Sequence, residues 1–162
     1  LLIVLLINFF LKMTLFLSTF VNRIDKKGRV SVPSTFRSTL ELNGFKGMVC
    51  YPSPSLSSIE GCTVNRIKKL SDAIDSLGPF SSERSTFSAS ILADSYQINF
   101  DQEGRVIVPA ELINFADIKN EISFVGMGET FQMWNPEIYR KFKNETQKQA
   151  QDNLIKLKWN KD

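Results

Sequence analysis

One motif occurs twice in the chain and limits what it can fold into. Asn22-Arg23-Ile24-Asp25-Lys26-Lys27-Gly28-Arg29-Val30-Ser31-Val32-Pro33 is echoed by Ile98-Asn99-Phe100-Asp101-Gln102-Glu103-Gly104-Arg105-Val106-Ile107-Val108-Pro109. Both copies fit D-x-x-G-R-V-x-V-P without a gap, with six positions identical at a constant offset. A match of that order does not arise by chance in so short a chain, so two copies of one small β-rich module are expected. In each copy an alternating strand (residues 19–24 and 95–100) runs into Asp-x-x-Gly. Asp25 and Asp101 can accept backbone N–H bonds at the first turn position, and Gly28 and Gly104 tolerate a positive φ at the fourth. A second alternating strand follows directly, so each copy reads as a tight β-hairpin. Pro33 and Pro109 then stop the strand and suit the first turn of a helix.

Beyond the motif the copies stay parallel in outline. Residues 34–42 form a helical stretch with Phe36, Leu40 and Leu42 inward, ended by Asn43-Gly44. The second copy is shorter here, with Leu112, Ile113 and Phe115 available to pack. Apolar runs at 47–51 and 122–125 suit buried strands. A further strand is clear at 131–134 and weaker at 57–62, after the Pro-Ser-rich loop 52–58. Residues 63–77 carry Val64, Ile67, Leu70, Ile74 and Leu77 at helical spacing, with Arg66, Lys68, Lys69 and Asp72 outside. Gly78-Pro79 breaks that helix, and Ser81 or Ser82 caps another whose apolar side is Phe87, Ile91 and Leu92. In copy two Asn135 caps and Pro136 opens a helix with Ile138, Tyr139 and Phe142 inward; the polar tail from Lys143 is expected to fray. The resulting division is module 1 at 17–65, a helical connection at 66–94, module 2 at 95–138, and a C-terminal helix and polar tail at 139–162.

Composition excludes more than it suggests. The 162 residues are 43% hydrophobic and 23% charged, ordinary for a globular chain. A net charge of +3 is too small to argue for nucleic acid except through clustering. The chain has no histidine, which removes the commonest general base and metal ligand. Cys50 and Cys62 match no zinc spacing and read as buried free thiols. No phosphate loop or nucleophile–base pair emerges, so neither catalysis, a metal, a cofactor nor a small-molecule substrate is expected. The apolar run from Leu1 to Leu11 lacks a basic start and a cleavage site and is interrupted by Asn8. We read Met13 as the start or near it and residues 1–12 as a start-site artefact or an extra apolar segment; the rival is a membrane anchor.

The turns are the informative sites. Asp25 with Arg29, and Asp101 with Arg105, place an acid and a base at opposite ends of one turn. On one reading the Asp caps the turn and the Arg does no more than pair with it. On the other, Arg29 and Arg105 project onto DNA, reaching phosphate or the base edges open to a two-stranded ribbon in the major groove. A guanidinium can serve both at once. Copy one is the more basic, with Arg23, Lys26, Lys27 and Arg29 within seven residues and Arg37 following, whereas copy two has Gln102 and Glu103 in place of the lysines. Four cations on one hairpin make a phosphate-binding footprint. Phe131, Trp134 and Tyr139 read as packing rather than base-stacking positions.

Two D-x-x-x-R motifs, each followed by V-x-V-P, together with V-G-M-G-E-T-F-Q-M-W-N-P-E at 125–137, resemble the MraZ regulators of bacteria, members of the wider SpoVT/AbrB group. The likeness runs from about Met13 to about residue 150. It implies an α+β, β-rich fold of two swapped-hairpin, AbrB-like β-barrel modules related by a pseudo-two-fold, with flanking helices. It also implies a homo-oligomeric ring in the cytoplasm, associated with the nucleoid, that binds direct repeats in double-stranded DNA. The resemblance further implies that those repeats lie upstream of the division and cell-wall operon, and that the protein acts, as is usual in the family, as a repressor of that operon and of its own gene. In the family the motif Arg contacts DNA, which carries over onto Arg29 and Arg105; Lys26 and Lys27 fall in the same first motif. Two departures stand out: the loose loop at 53–62, and Glu111, Ile113 and Asn114 where a basic residue often follows the Leu. The alternatives are an antitoxin-like DNA-binding protein of the same broad fold, whose mark is one module with a partner-binding tail, and a structural oligomer that merely keeps basic turns.

Overall fold

A computed structural model describes residues 2–4 and 15–158 of the chain. Most of the N-terminal apolar run, with Met13, lies outside the described residues. In chain order the elements are β1 (Thr19–Arg23), β2 (Arg29–Ser31), α1 (Ser34–Leu40), a 3-10 turn (Glu41–Asn43), β3 (Gly47–Pro52) and β4 (Ile59–Cys62). Then come α2 (Val64–Asp75), α3 (Ser82–Phe87) running into a π-helical turn (Ser88–Leu92), and β5 (Tyr96–Asn99). The second copy supplies β6 (Arg105–Ile107), α4 (Ala110–Phe115), β7 (Glu121–Gly126), β8 (Phe131–Trp134) and α5 (Pro136–Asn153). The fold is α+β and strand-rich, with every strand pairing antiparallel.

The expected tight hairpins do not close as hairpins. Asp25 N–H donates to the Arg29 carbonyl at 3.0 Å and Ile24 bridges Val30, but β1 and β2 then part. β1 pairs instead with β7 of the second copy, and β5 pairs with β3 of the first. β2 and β6 pair with each other as a separate two-stranded ribbon, while the other six strands form one sheet in the order β1-β7-β8-β4-β3-β5. The physical reason lies in the alternation. Val30 and Val32, with Val106 and Val108, are each 1% exposed. Pairing across the copies lets all four enter one shared core rather than two small ones, and a single larger core buries a greater fraction of its surface.

Phe36 on α1 is the hub of that core. Its ring meets Phe16 and Phe131 at centroid distances of 5.2 Å each, Phe20 at 5.6 Å and Phe124 at 6.3 Å. Three of these contacts are edge-on, the arrangement that the ring quadrupole favours. Met48, Ile59, Ile122 and Met133 close the cluster from the sheet. On the opposite face of the sheet, Val49, Tyr51 and Cys62 pack under Ile91 and the partly buried Val64, Ile67 and Leu70. Both cysteines are free and buried, and burial pushes each thiol up to about 12, leaving them unreactive packing groups.

Several expected packing positions differ. Leu77, Phe87 and Phe115 are each more than two-fifths exposed. At the end of α4, Asp117 takes a φ of 50° and turns the chain, so Ala116 and Ile118 enter the core where Phe115 was expected to. The tail beyond Lys143 does not fray: α5 continues to Asn153 and a 3-10 turn (Leu154–Lys156) follows. Those residues are almost all exposed, so their helicity rests on Lys, Glu, Gln and Ala as helix formers rather than on packing. Nearer the body, Trp134 stacks on Phe142 at 4.9 Å and anchors the helix. Asn135 caps it by accepting the Glu137 N–H at 2.9 Å. Among the described residues no helix is long and apolar enough to cross a membrane.

Removing the Phe36 ring leaves a void that four neighbouring rings cannot fill. Phe36→Ala should lower the unfolding free energy by about 3–5 kcal/mol, read from urea denaturation. A loss below about 1 kcal/mol would show that the cluster collapses around the gap.

Candidate nucleic-acid interface

Two turns with the same sequence fold in the same way. Asp25 Oδ1 accepts the backbone N–H groups of Lys27 and Arg29, both at 2.9 Å, and its Oδ2 accepts Arg29 Nε at 2.7 Å. Asp101 repeats the pattern with Glu103 N–H, Arg105 N–H and Arg105 Nε, at 2.9, 2.9 and 2.7 Å. Gly28 and Gly104 complete each turn at φ of 78° and 74°. A Cβ on Gly28 would stand 2.6 Å from the Val108 carbonyl oxygen, so both the handedness and the space require glycine there. Each Gly carbonyl in turn accepts a Val N–H from the other copy: Val108 donates to Gly28 at 2.8 Å and Val32 to Gly104 at 3.2 Å. The two turns are therefore clasped together at the two ends of the ribbon.

The ribbon register decides which side chains share a face. Arg29 stands opposite Ile107, Val30 opposite Val106, and Ser31 opposite Arg105. Directly opposed residues point the same way, and successive residues alternate. The Val30–Val106 pair therefore points into the core, while Arg29, Ile107, Ser31 and Arg105 share the outward face. The arginine side chains are 41% and 35% exposed. Both line, with Ile107 and the edge strand β5, one open groove of about 430 Å³.

Each Arg spends Nε on its Asp, which leaves the outer nitrogens. Arg105 Nη2 also pairs with Glu103, whereas among the described residues Arg29 makes no second ion pair. Lys26 and Lys27 are exposed at the tip of the first turn. Arg37 lies elsewhere than its place in the sequence suggests. Its side chain covers Gly104 on the second turn, and its Nη1 donates to the Val32 carbonyl at 2.6 Å. Ile113 occupies the matching position over Gly28. A cation from copy one thus stands beside the turn that carries Glu103. In the sequence Arg37 only follows the basic cluster of copy one; its place at the constant repeat offset from Ile113 is the available signal. Arg23 is not part of this face. It stands opposite Glu121 on the edge strand β1 and lines a separate groove with Asp117, Glu137 and Arg140. Among the described residues no His, Cys, Asp and Glu side chains cluster as a metal site.

A family model described as "MraZ protein, putative antitoxin-like" matches residues 91–156. The chain is similar to a protein named Transcriptional regulator MraZ from Pelagibacter ubique (strain HTCC1062), 51% identical over 147 residues that cover 91% of this chain and 95% of the relative. The chain belongs to the MraZ family. Proteins of the same name from Rickettsia bellii (strain OSU 85-389) and Rickettsia canadensis (strain McKiel) are 42% and 40% identical, each match covering 90% of this chain and 98% of the relative. The MraZ likeness thus spans both turns, the ribbon and α1.

The backbone N–H groups of Arg29 and Arg105 hold the Asp25 and Asp101 carboxyls below the usual aspartate range, with the guanidinium bonds adding to the effect. A carboxyl lowered in the folded state stabilises the fold above its unfolded pKa, and that stability is lost as pH falls through the folded value. The melting temperature should fall on acidification below the ordinary aspartate range. In the Asp25→Asn, Asp101→Asn double variant, differential scanning calorimetry should show a shallower acid limb; an unchanged limb would assign it to other carboxylates.

Proposed function

We propose that the protein is a transcriptional regulator that binds double-stranded DNA in a sequence-specific way, presenting the β2–β6 ribbon to the major groove. One observation carries the reading: the cross-copy register brings Arg29 and Arg105, duplicated in sequence, onto the single outward face of a two-stranded ribbon. An antiparallel ribbon is one of the two elements that the major groove admits, and a guanidinium is the usual donor to guanine O6 and N7. The name carried by the relatives, transcriptional regulator, agrees with this use of the face.

In this reading Arg29 and Arg105 contact base edges or phosphate through the nitrogens not committed to Asp25 and Asp101. Lys26 and Lys27 contact the flanking phosphates, and Arg37 supplies positive charge beside the second turn. Arg23, one strand away, acts at most on the more distant backbone. Asp25, Gly28, Asp101 and Gly104 hold the two arginines in place before DNA arrives, so little side-chain freedom remains to be lost on binding. One ribbon offers few contacts. A homo-oligomeric ring that presents several ribbons to spaced promoter repeats raises affinity without new chemistry, because the second contact is made at high local concentration. The targets we infer are direct repeats upstream of the division and cell-wall operon and of the protein's own gene, with repression as the outcome. The two repeats, at 17–65 and 95–138, are the modules that each contribute one turn.

Footprinting on DNA upstream of the gene tests the reading, with protection at spaced repeats expected and a bare trace counting against it. Arg29→Ala should weaken specific binding by about 1–3 kcal/mol with folding intact, as read by mobility shift. Lys26→Ala and Lys27→Ala should each lower the slope of log affinity against log salt by about 1, across all sequences alike. A wild-type affinity that ignores salt would exclude DNA as the ligand.

A further inference from the structure

The outward face of the ribbon is unequal along its length. Within Asp-x-x-Gly-Arg-Val-x-Val-Pro the two copies agree at the Asp, Gly and Arg that hold the turn and at the inward valines, and within β2 and β6 they differ only at Ser31 and Ile107. The register sets those two residues directly opposite the arginines: Ile107 opposite Arg29, and Ser31 opposite Arg105. Ile107 is 58% exposed, between Val106 and Val108 at 1% each, and it belongs to neither apolar cluster. A branched aliphatic side chain is ordinary on a strand, so exposure alone would not single it out. Its place does: Ile107 lines the same open groove as Arg29 and Arg105.

The base edges of the major groove offer one apolar group, the C5-methyl of thymine. Opposed residues of an antiparallel pair have Cβ atoms about 4.5–5.5 Å apart. That spacing lets Arg29 and Ile107 reach the same or adjacent base pairs, which rise by about 3.4 Å along each strand. We propose that Ile107 is a specificity-determining residue that packs on a thymine methyl beside the base pair met by Arg29, whereas Ser31 gives the Arg105 end a hydroxyl contact open to either kind of base. The two ends of the ribbon then read different base pairs, although their arginines are held identically. This inference rests on the DNA-binding reading above and adds to it the base that one position selects.

The test uses the full chain and a duplex that wild-type protein enriches from a randomised pool. Affinity is measured by fluorescence anisotropy on that duplex and on versions in which one thymine at a time is replaced by deoxyuridine, which removes only the methyl. One replacement per contacted repeat should weaken wild-type binding by about four-fold, the effect of one buried methyl. Ile107→Ser should bind the thymine and uracil duplexes equally. The reciprocal Ser31→Ile should acquire sensitivity at a second thymine, at the Arg105 end, which keeps the test sharp if Ile107→Ser folds poorly. An enriched site without a fixed thymine, no uracil effect in the wild type, or a uracil effect that survives in Ile107→Ser would overturn the assignment of Ile107 while leaving DNA binding in place. Failure to enrich any duplex would overturn the DNA-binding reading itself.

Discussion

The structure depends on one short pairing, β2 against β6, centred on Val30 opposite Val106. Three residues from each copy make a ribbon too small to stand alone, since an isolated two-stranded ribbon is marginal in water. It persists because its inward face is the wall of the Phe36 core and because each turn glycine accepts an N–H bond from the other copy. Core and outward face are consequently two sides of one object. A change that shifts the ribbon by one residue would turn the valines out and the arginines in.

The Asp–Arg bond is often read as a structural contact or a functional one. The geometry here allows both, because the guanidinium is divided. Nε and the backbone N–H satisfy the carboxylate, which fixes the side chain's direction; among the described residues the Nη groups of Arg29 make no further ion pair, and Arg105 gives Nη2 to Glu103. Exposure of about two-fifths on either partner means that the pair itself adds little to stability. Its value is positional. The two ends nevertheless differ in charge, with lysines flanking Arg29 and Glu103 pairing with Arg105. Arg37, reaching over from α1, moderates that difference at the second turn.

Membership of the MraZ family and the geometry of the ribbon are independent observations that point the same way. The match to the Pelagibacter ubique relative runs across the whole repeated region, and the ribbon is where the two copies of that repeat meet. Duplication within one chain also frees the copies to diverge. Ser31 and Ile107 occupy equivalent positions on the face and differ in polarity, something an assembly of identical single modules could not achieve.

Much is legible in the sequence alone. The Asp-x-x-Gly-Arg turn, the strand alternation, the caps at Ser81 and Asn135, and the burial of Phe36, Leu40 and Leu112 all follow from local rules acting over a few residues. Nothing in the residues alone said that the turn strands would leave each other and pair across the copies, because a strand's alternation names the face it buries and not its partner. For the same reason the sequence shows Arg37 only as a cation that follows the first hairpin, groups Arg23 with cations from which it is separated, and gives Ile107 no mark beyond that of a β-branched residue. Short-range chemistry determined the turns and their Asp–Arg bonds; the need to bury four valines and a shared aromatic cluster in one core decided which arginines stand side by side.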